Sequence, residues 1–193
     1  MRTKLPASAV AGVAILASSA AAFAVSPFTV RVPGAADGGR FAAAQIYEGF
    51  GCTGGNRSPA LVWSQPPAGT RSFAVTIFDP DAPTGNGWWH WTVFNLPASL
   101  RALPEGAGDA KHPHLPAGAV QGRTDFGTQG YGGPCPPPGD PAHHYVITVW
   151  ALDVDRLALD EHASGAMVGF TLNQHARGKA VFTLRYGRPK PAG

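Results

Sequence analysis

Three short stretches of this chain gather the residue types that bind small ions or move protons. The first is Asp79-Pro80-Asp81-Ala82-Pro83, two carboxylates between prolines. Each proline fixes φ and removes a backbone donor, so the acids stand on a stiff stretch. Taken alone, an Asp-Pro pair is most simply a turn with solvated acids. The second is Trp88-Trp89-His90-Trp91, three indoles around one imidazole. That makes an apolar wall with a single polar tip, and its plain alternative is a core histidine satisfied by a backbone carbonyl. The third runs from Gly130 to Asp140 as Gly-Tyr-Gly-Gly-Pro-Cys-Pro-Pro-Pro-Gly-Asp and delivers His143-His144-Tyr145. Its glycines allow close backbone approach and offer N–H groups, as anion-cradling loops do. Acids, imidazoles and a phenol brought together could hold a small anion by hydrogen bonds, or could serve as an acid–base pair.

These stretches need elements to position them. The apolar runs that read as strands are Phe28–Val32, Ala60–Trp63, Ser72–Phe78, Trp91–Leu96, Tyr145–Leu152 and Ala180–Tyr186. Along Ser72–Phe78, one face carries Phe73, Val75 and Ile77, and Asp79 is next on that face. A hairpin-like return through Thr84–Gly87 brings His90 close to Asp79. Tyr145–Leu152 is apolar on both faces, as a central strand covered on both sides would be. If that strand has begun by His143, then His143 and His144 point oppositely, one to a pocket and one to solvent. One helix is expected near Ser164–Ala176, with Ser164 as cap, Met167, Phe170 and Leu172 or His175 at helical spacing, and Gly178 as stop. Residues 101–144 read mostly as loop. The 25 glycines and 19 prolines cluster between short apolar runs, which suits a mostly β single domain with one or two short helices.

Arg2 and Lys4 precede an uncharged run from Leu5 to Val25, and Ala22-Phe23-Ala24 closes it with small residues. This is the pattern of a signal peptide spanning residues 1–24, cleaved after Ala24 or, as second choice, after Ala22. A retained anchor is the alternative, but no basic stop-transfer cluster follows. Cleavage leaves residues 25–193, a single domain with no stable membrane insertion, in the periplasm or outside the cell. It lowers the formal net charge from +3 to +1. Several remaining cations (Arg185, Arg188, Lys190) fall at the extreme end, which leaves no basic face for nucleic acid. An even pair of cysteines, Cys52 and Cys135, in an exported chain points to one disulfide, with two free thiols as the alternative. Closing 83 residues is worth ~4.5 kcal/mol in the chain-entropy view. No Cys or His lies near them at metal spacing, so no zinc site is expected there.

Asp-Pro-Asp-Ala-Pro, Trp88-x-His90-Trp91 followed by Asn95-Leu96-Pro97-Ala98, and Gly-Gly-Pro-Cys-Pro-Pro-Pro-Gly with His143-x-Tyr145 resemble the phosphatidylethanolamine-binding protein family. The fit is closest to its bacterial Raf-kinase-inhibitor-like branch, called YbhB/YbcL. Cys52-Thr53-Gly54-Gly55-Asn56, Gly122–Gly127 and Ser164–Gly169 extend the resemblance, which runs from about Phe50 to Phe182. It implies an antiparallel β-sandwich of two sheets with a small cavity at one edge for phosphate, phosphoethanolamine or similar anions. Carried over by residue, Asp79, His90, His143 and Tyr145 line that cavity, and Asp81, Pro83, Gly133 and Pro134 frame it. His144 stands where many members carry Arg, so a permanent cation becomes a titratable one.

The function expected from this is an exported module for a small anionic ligand such as a phospholipid headgroup, without cofactor or metal. His90 and His143 are its donors, and their protonation near pH ~6.5 is expected to strengthen binding. A protein-interaction or protease-inhibitor role using the Pro-rich loops is the first alternative, with the protein partner open. A hydrolase built on the Asp/His pair, or a metal on Asp79, His90 and His143, is the second. The sequence offers that enzyme no recognisable nucleophile.

Overall fold

Alternation along one eight-residue strand sets the architecture. The computed structural model describes residues 27–111 and 113–191, and the proposed leader lies outside them. Among the described residues, ten strands and one α-helix follow in chain order. They are β1 (Thr29–Arg31), β2 (Glu48–Gly49), β3 (Cys52–Thr53), β4 (Leu61–Ser64), β5 (Ser72–Asp79), β6 (Trp88–Pro97), β7 (Ala102–Leu103), β8 (Val120–Gln121), β9 (His143–Leu152), α1 (Gly165–His175) and β10 (Ala176–Tyr186). Every strand pairing is antiparallel.

β5 lies at the centre of a five-stranded sheet ordered β10-β9-β5-β6-β8. Its Phe73, Val75 and Ile77 join Val93, Ile147 and Val149 in a core closed by Val30, Leu61, Trp63 and Leu103 of the three-stranded sheet β1-β4-β7. The opposite face buries Ala74, Phe94, Trp150 and Leu152 under Val168 and Leu172 of α1. Sheet on one side and helix on the other explain why β9 is apolar on both faces. The fold is a mostly β, antiparallel sandwich in one domain.

Ser164 caps α1, its Oγ accepting from the Met167 N–H at 3.3 Å. The packed face is Gly165, Val168, Gly169 and Leu172, whereas Met167 and Phe170 are 50% and 63% exposed. Trp89 is the reason: a Cβ on Gly165 would stand 2.2 Å from its Cγ, so only glycine lets the helix lie on the indole. Gly178 does not stop the helix. The chain turns directly into β10 at Ala176, and Gly178 pairs with Ala151 inside that strand.

β6, β9 and β10 begin earlier than their apolar cores suggest, and β2, β3, β7 and β8 are too short to carry a pattern. Residues 101–144 are largely irregular, with β8 pairing on the edge of β6. Between β5 and β6, Ile77 pairs with Trp91 but Phe78 with Trp89. His90 is therefore an extra residue in a β-bulge, a device that re-aims side chains. Cys52 and Cys135 form a disulfide with Cα atoms 6.0 Å apart, tying the β2–β3 hairpin to the Gly130–Asp140 loop.

Candidate functional site

The ends of β5, β6 and β9 meet at a cavity of about 150 Å³. A water molecule occupies about 30 Å³ in the liquid and drug-sized ligands take about 300 Å³ or more, so this space suits a small polar group. Asp79, His90, His143 and Tyr145 line it, with Pro83 and Thr84 on one side and Cys135, Pro136 and Pro137 on another.

Asp79 arrives on the Phe73-Val75-Ile77 face and is 2% exposed. Its Oδ1 accepts the Asp81 N–H at 2.9 Å and its Oδ2 accepts from His143 Nδ1 at 2.8 Å. The stiff Pro80 turn supplies the first bond, and the pairing of β5 with β9 supplies the second. His143 Nε2 lies 3.7 Å from the Asp140 carboxylate, so one buried imidazole stands between two acids.

Trp88 pairs with Asp79 across the strands and faces the cavity, Trp89 faces the helix, and the bulge leaves His90 on the cavity side together with buried Trp91. The His90 Nδ1 donates to the Gly132 carbonyl at 2.8 Å. Burial pushes its pKa down to about 4, against the opposing pull of the Gly132 carbonyl, Asp79, the Gly133 carbonyl and Asp125. The ring is neutral at physiological pH and meets the cavity through its Nε2 lone pair. The expected role of this ring was that of a donor to a ligand. It is an acceptor.

Tyr145 is 1% exposed, and its hydroxyl meets no partner at hydrogen-bonding geometry, although Asp79 is close enough to act on it. Burial, then the negative charge of Asp79, raises its pKa, so the phenol keeps its proton. The indole N–H of Trp88 is also buried without a partner. Asp81 is not among the residues that line the cavity; its Oδ2 accepts from the His144 N–H and Nδ1, each at 2.7 Å. Burial works to raise the Asp81 pKa, but these two bonds outweigh it and the net shift is downward. Strand alternation thus sends His143 into the cavity and His144 to the half-exposed outer face.

Gly133 and Pro134 stand behind the wall. The Gly132 N–H donates to the His90 carbonyl at 2.9 Å and the Gly133 N–H to Asn56 Oδ1 at 2.8 Å, so neither is free for an anion. Gly133 is nevertheless required for shape, because a Cβ there would come 2.2 Å from the Gln45 carbonyl oxygen.

The mouth is aromatic and was less legible. Asp125 clips to β6, accepting the Trp89 N–H at 2.7 Å and returning its own N–H to the Trp89 carbonyl at 3.1 Å. That lays Phe126 beside the cavity, stacked on Tyr47 at 4.4 Å and edge-on to His90 at 5.4 Å. Phe50, 71% exposed at φ 50°, completes the rim. Arg188 holds it there, its guanidinium donating to the Phe50 and Pro136 carbonyls at 3.3 Å and the Gly51 carbonyl at 2.8 Å. No Lys or Arg lines the cavity among the described residues. Nor is any group of three or more His, Cys, Asp or Glu among them disposed to hold a metal ion.

Residues 33–187 match the family model of phosphatidylethanolamine-binding proteins. The chain belongs to that family. YbcL of Escherichia coli K12 is 50% identical over 169 residues, covering 88% of this chain and 90% of YbcL. YbhB of the same organism is 50% identical over 150 residues, covering 78% of this chain and 94% of YbhB. The crystal structure of E. coli YbcL, described as a member of the mammalian family, superposes with a TM-score of 0.81 at 51% identity, over 83% of this chain and 98% of that one. LppC of Mycobacterium tuberculosis, named as a lipoprotein, is 37% identical over 157 residues, covering 81% of this chain and 71% of LppC.

Proposed function

We propose that this phosphatidylethanolamine-binding-family chain is an exported protein that binds a small phosphorylated or similarly anionic group. The observation that carries the reading is the Tyr145 hydroxyl: buried, without a partner, on the wall of a largely apolar cavity of about 150 Å³ into which a few polar side chains converge. A buried hydroxyl without a partner costs stability, so its retention there argues for a ligand that completes it. Asp79 fixes the His143 ring, and the Tyr145 hydroxyl is a donor for a ligand oxygen. The small volume and aromatic mouth favour a headgroup or free anion over a bulky ligand.

The hydrolase alternative gains no nucleophile from this wall. The Thr84 hydroxyl donates to the Gly87 carbonyl at 2.6 Å, and Cys135 is held in the disulfide. Export is supported by the basic-then-apolar leader, by the disulfide, and by a relative bearing a lipoprotein name. Among the described residues no helix is long and apolar enough to cross a membrane.

Native mass spectrometry of the protein as purified, followed by calorimetric titration with phosphoethanolamine, tests the binding reading. A retained small phosphorylated species or a saturable heat supports it, and neither at millimolar ligand rejects it. N-terminal sequencing of the exported form should start at Val25. An uncleaved chain confined to the cytoplasm rejects export.

A further inference from the structure

The cavity wall presents acceptors where a site for a fully ionised anion would present cations. Both oxygens of Asp79 already accept protein hydrogen bonds, and its side chain is 4% exposed. His90 is fixed as a donor through Nδ1, because the Gly132 carbonyl can only accept. The second nitrogen of that neutral ring is then a lone pair, and no described residue donates to it. The donors left without partners are the Tyr145 hydroxyl and the Trp88 indole N–H, both uncharged. The one guanidinium at the rim, Arg188, is occupied by backbone carbonyls and the Cys135 sulfur.

An oxyanion stripped of every proton would set its oxygens against the Nε2 lone pair and beside the Asp79 carboxylate. An anion that retains one O–H can donate it to Nε2 while its other oxygens accept from Tyr145. We infer, on the reading that this cavity takes an anion, that it selects the protonated monoanion of a phosphomonoester, whose P–O–H donates to His90 Nε2, and discriminates against oxyanions of equal charge that have no proton to give. The ligand's own proton is a recognised group. Rejection follows from leaving this acceptor unsatisfied once a bound ligand shuts water out of the cavity, the same asymmetry by which sites built to bind a hydroxyl refuse analogues lacking it. The titratable groups around His90 are Asp79 from β5, Tyr145 and His143 from β9, and Asp125 from the loop that clips to β6. None of them supplies Nε2 with a proton donor in the structure.

Methyl phosphate and methyl sulfate separate the proton from charge and shape. Near pH 5, below the second ionisation of a phosphomonoester at about 6, both carry one negative charge and only methyl phosphate has an O–H. Calorimetric titration of the whole mature protein should then give methyl phosphate at least about tenfold the affinity of methyl sulfate, the loss expected for one unsatisfied buried group. Raising the pH through about 6 should erode methyl phosphate binding more steeply than methyl sulfate binding, which reports the protein's own titration alone. His90→Gln, whose amide can donate, should narrow the gap between the two ligands. If that variant does not fold, the wild-type comparison decides. Equal affinity for the two ligands overturns the donor demand and leaves the anion reading standing. Heat from neither at millimolar concentration overturns both.

Discussion

Replacing His90 by Gln should remove a specific part of the protein's acid sensitivity. Burial lowers the His90 pKa from 6.5 to about 4, while in the unfolded chain it returns to its ordinary value. Above pH ~6.5 both states are neutral and the residue adds no pH dependence. Between pH ~6.5 and 4 the unfolded state takes up a proton that the folded state refuses, so stability falls as the solution is acidified. The contribution is therefore present above the unfolded pKa and lost as pH falls through the folded one. A gap of that size amounts to roughly 2–3 kcal/mol between about pH 7.5 and 4.5. A Gln amide does not titrate in this range, so His90→Gln should lack this component whatever its absolute stability. Urea unfolding of both proteins at the two pH values measures it as the difference of differences, in which unchanged groups cancel. Parallel loss of stability in wild type and variant would refute the placement of a neutral, buried imidazole on the cavity wall.

Tyr145→Phe should leave stability within about 0.5 kcal/mol or improve it, because the deleted hydroxyl is buried without a partner, yet weaken phosphoethanolamine binding about fivefold or more. A large loss in thermal or urea unfolding would show that the hydroxyl has a structural partner. Gly165→Ala should cost about 1–3 kcal/mol and lower Tm by roughly 2–12 °C, since its methyl would meet the Trp89 indole at 2.2 Å; an unchanged Tm refutes that packing. Thiol titration in denaturant without reductant should find no free thiol. The paired Cys52→Ser and Cys135→Ser variant should lose up to ~4.5 kcal/mol in urea unfolding, and a loss below about 1 kcal/mol would contradict a loop-closing role.

How far each feature could be read ahead depended on the distance over which its cause acts. Asp79 was legible because strand alternation places it next after Phe73, Val75 and Ile77, and His143 and His144 divided between cavity and outer face by the same rule. The core strands and the Ser164 cap are likewise local facts. The side to which His90 turns is not, because it depends on a bulge that exists only in the register of β6 against β5. Its acceptor character depends further on the Gly132 carbonyl, 42 residues away. The loop N–H groups looked free from their glycines, but Asn56 and the His90 carbonyl take them. The helix face likewise depends on a distant partner. Met167 and Phe170 have the apolar spacing, but the flat indole of Trp89 demands glycine, and no helical periodicity announces a partner on another strand. Phe50 reached the mouth through β2–β3, the Cys52–Cys135 link and Arg188, none of which a local pattern reveals.

The same division separates recognition from access at the site. The groups that would read a ligand, Asp79, His90, His143 and Tyr145, all stand on the central sheet, where backbone pairing and burial fix their geometry before any ligand arrives. The apolar rim is carried by loops, and those loops are cross-tied by the disulfide, the Arg188 clamp and the Asp125–Trp89 pair. A rigid polar floor loses little conformational entropy on binding, so even a few uncharged donors can hold a small ligand. Their neutrality has a second consequence. Without a Lys or Arg on the wall among the described residues, Coulomb attraction would supply little of an anion's affinity, and discrimination would fall to hydrogen-bond matching at single atoms. If the cavity takes an anion as proposed, the placement of one proton, on Nδ1 of His90 and not on Nε2, would decide which small oxyanions it accepts.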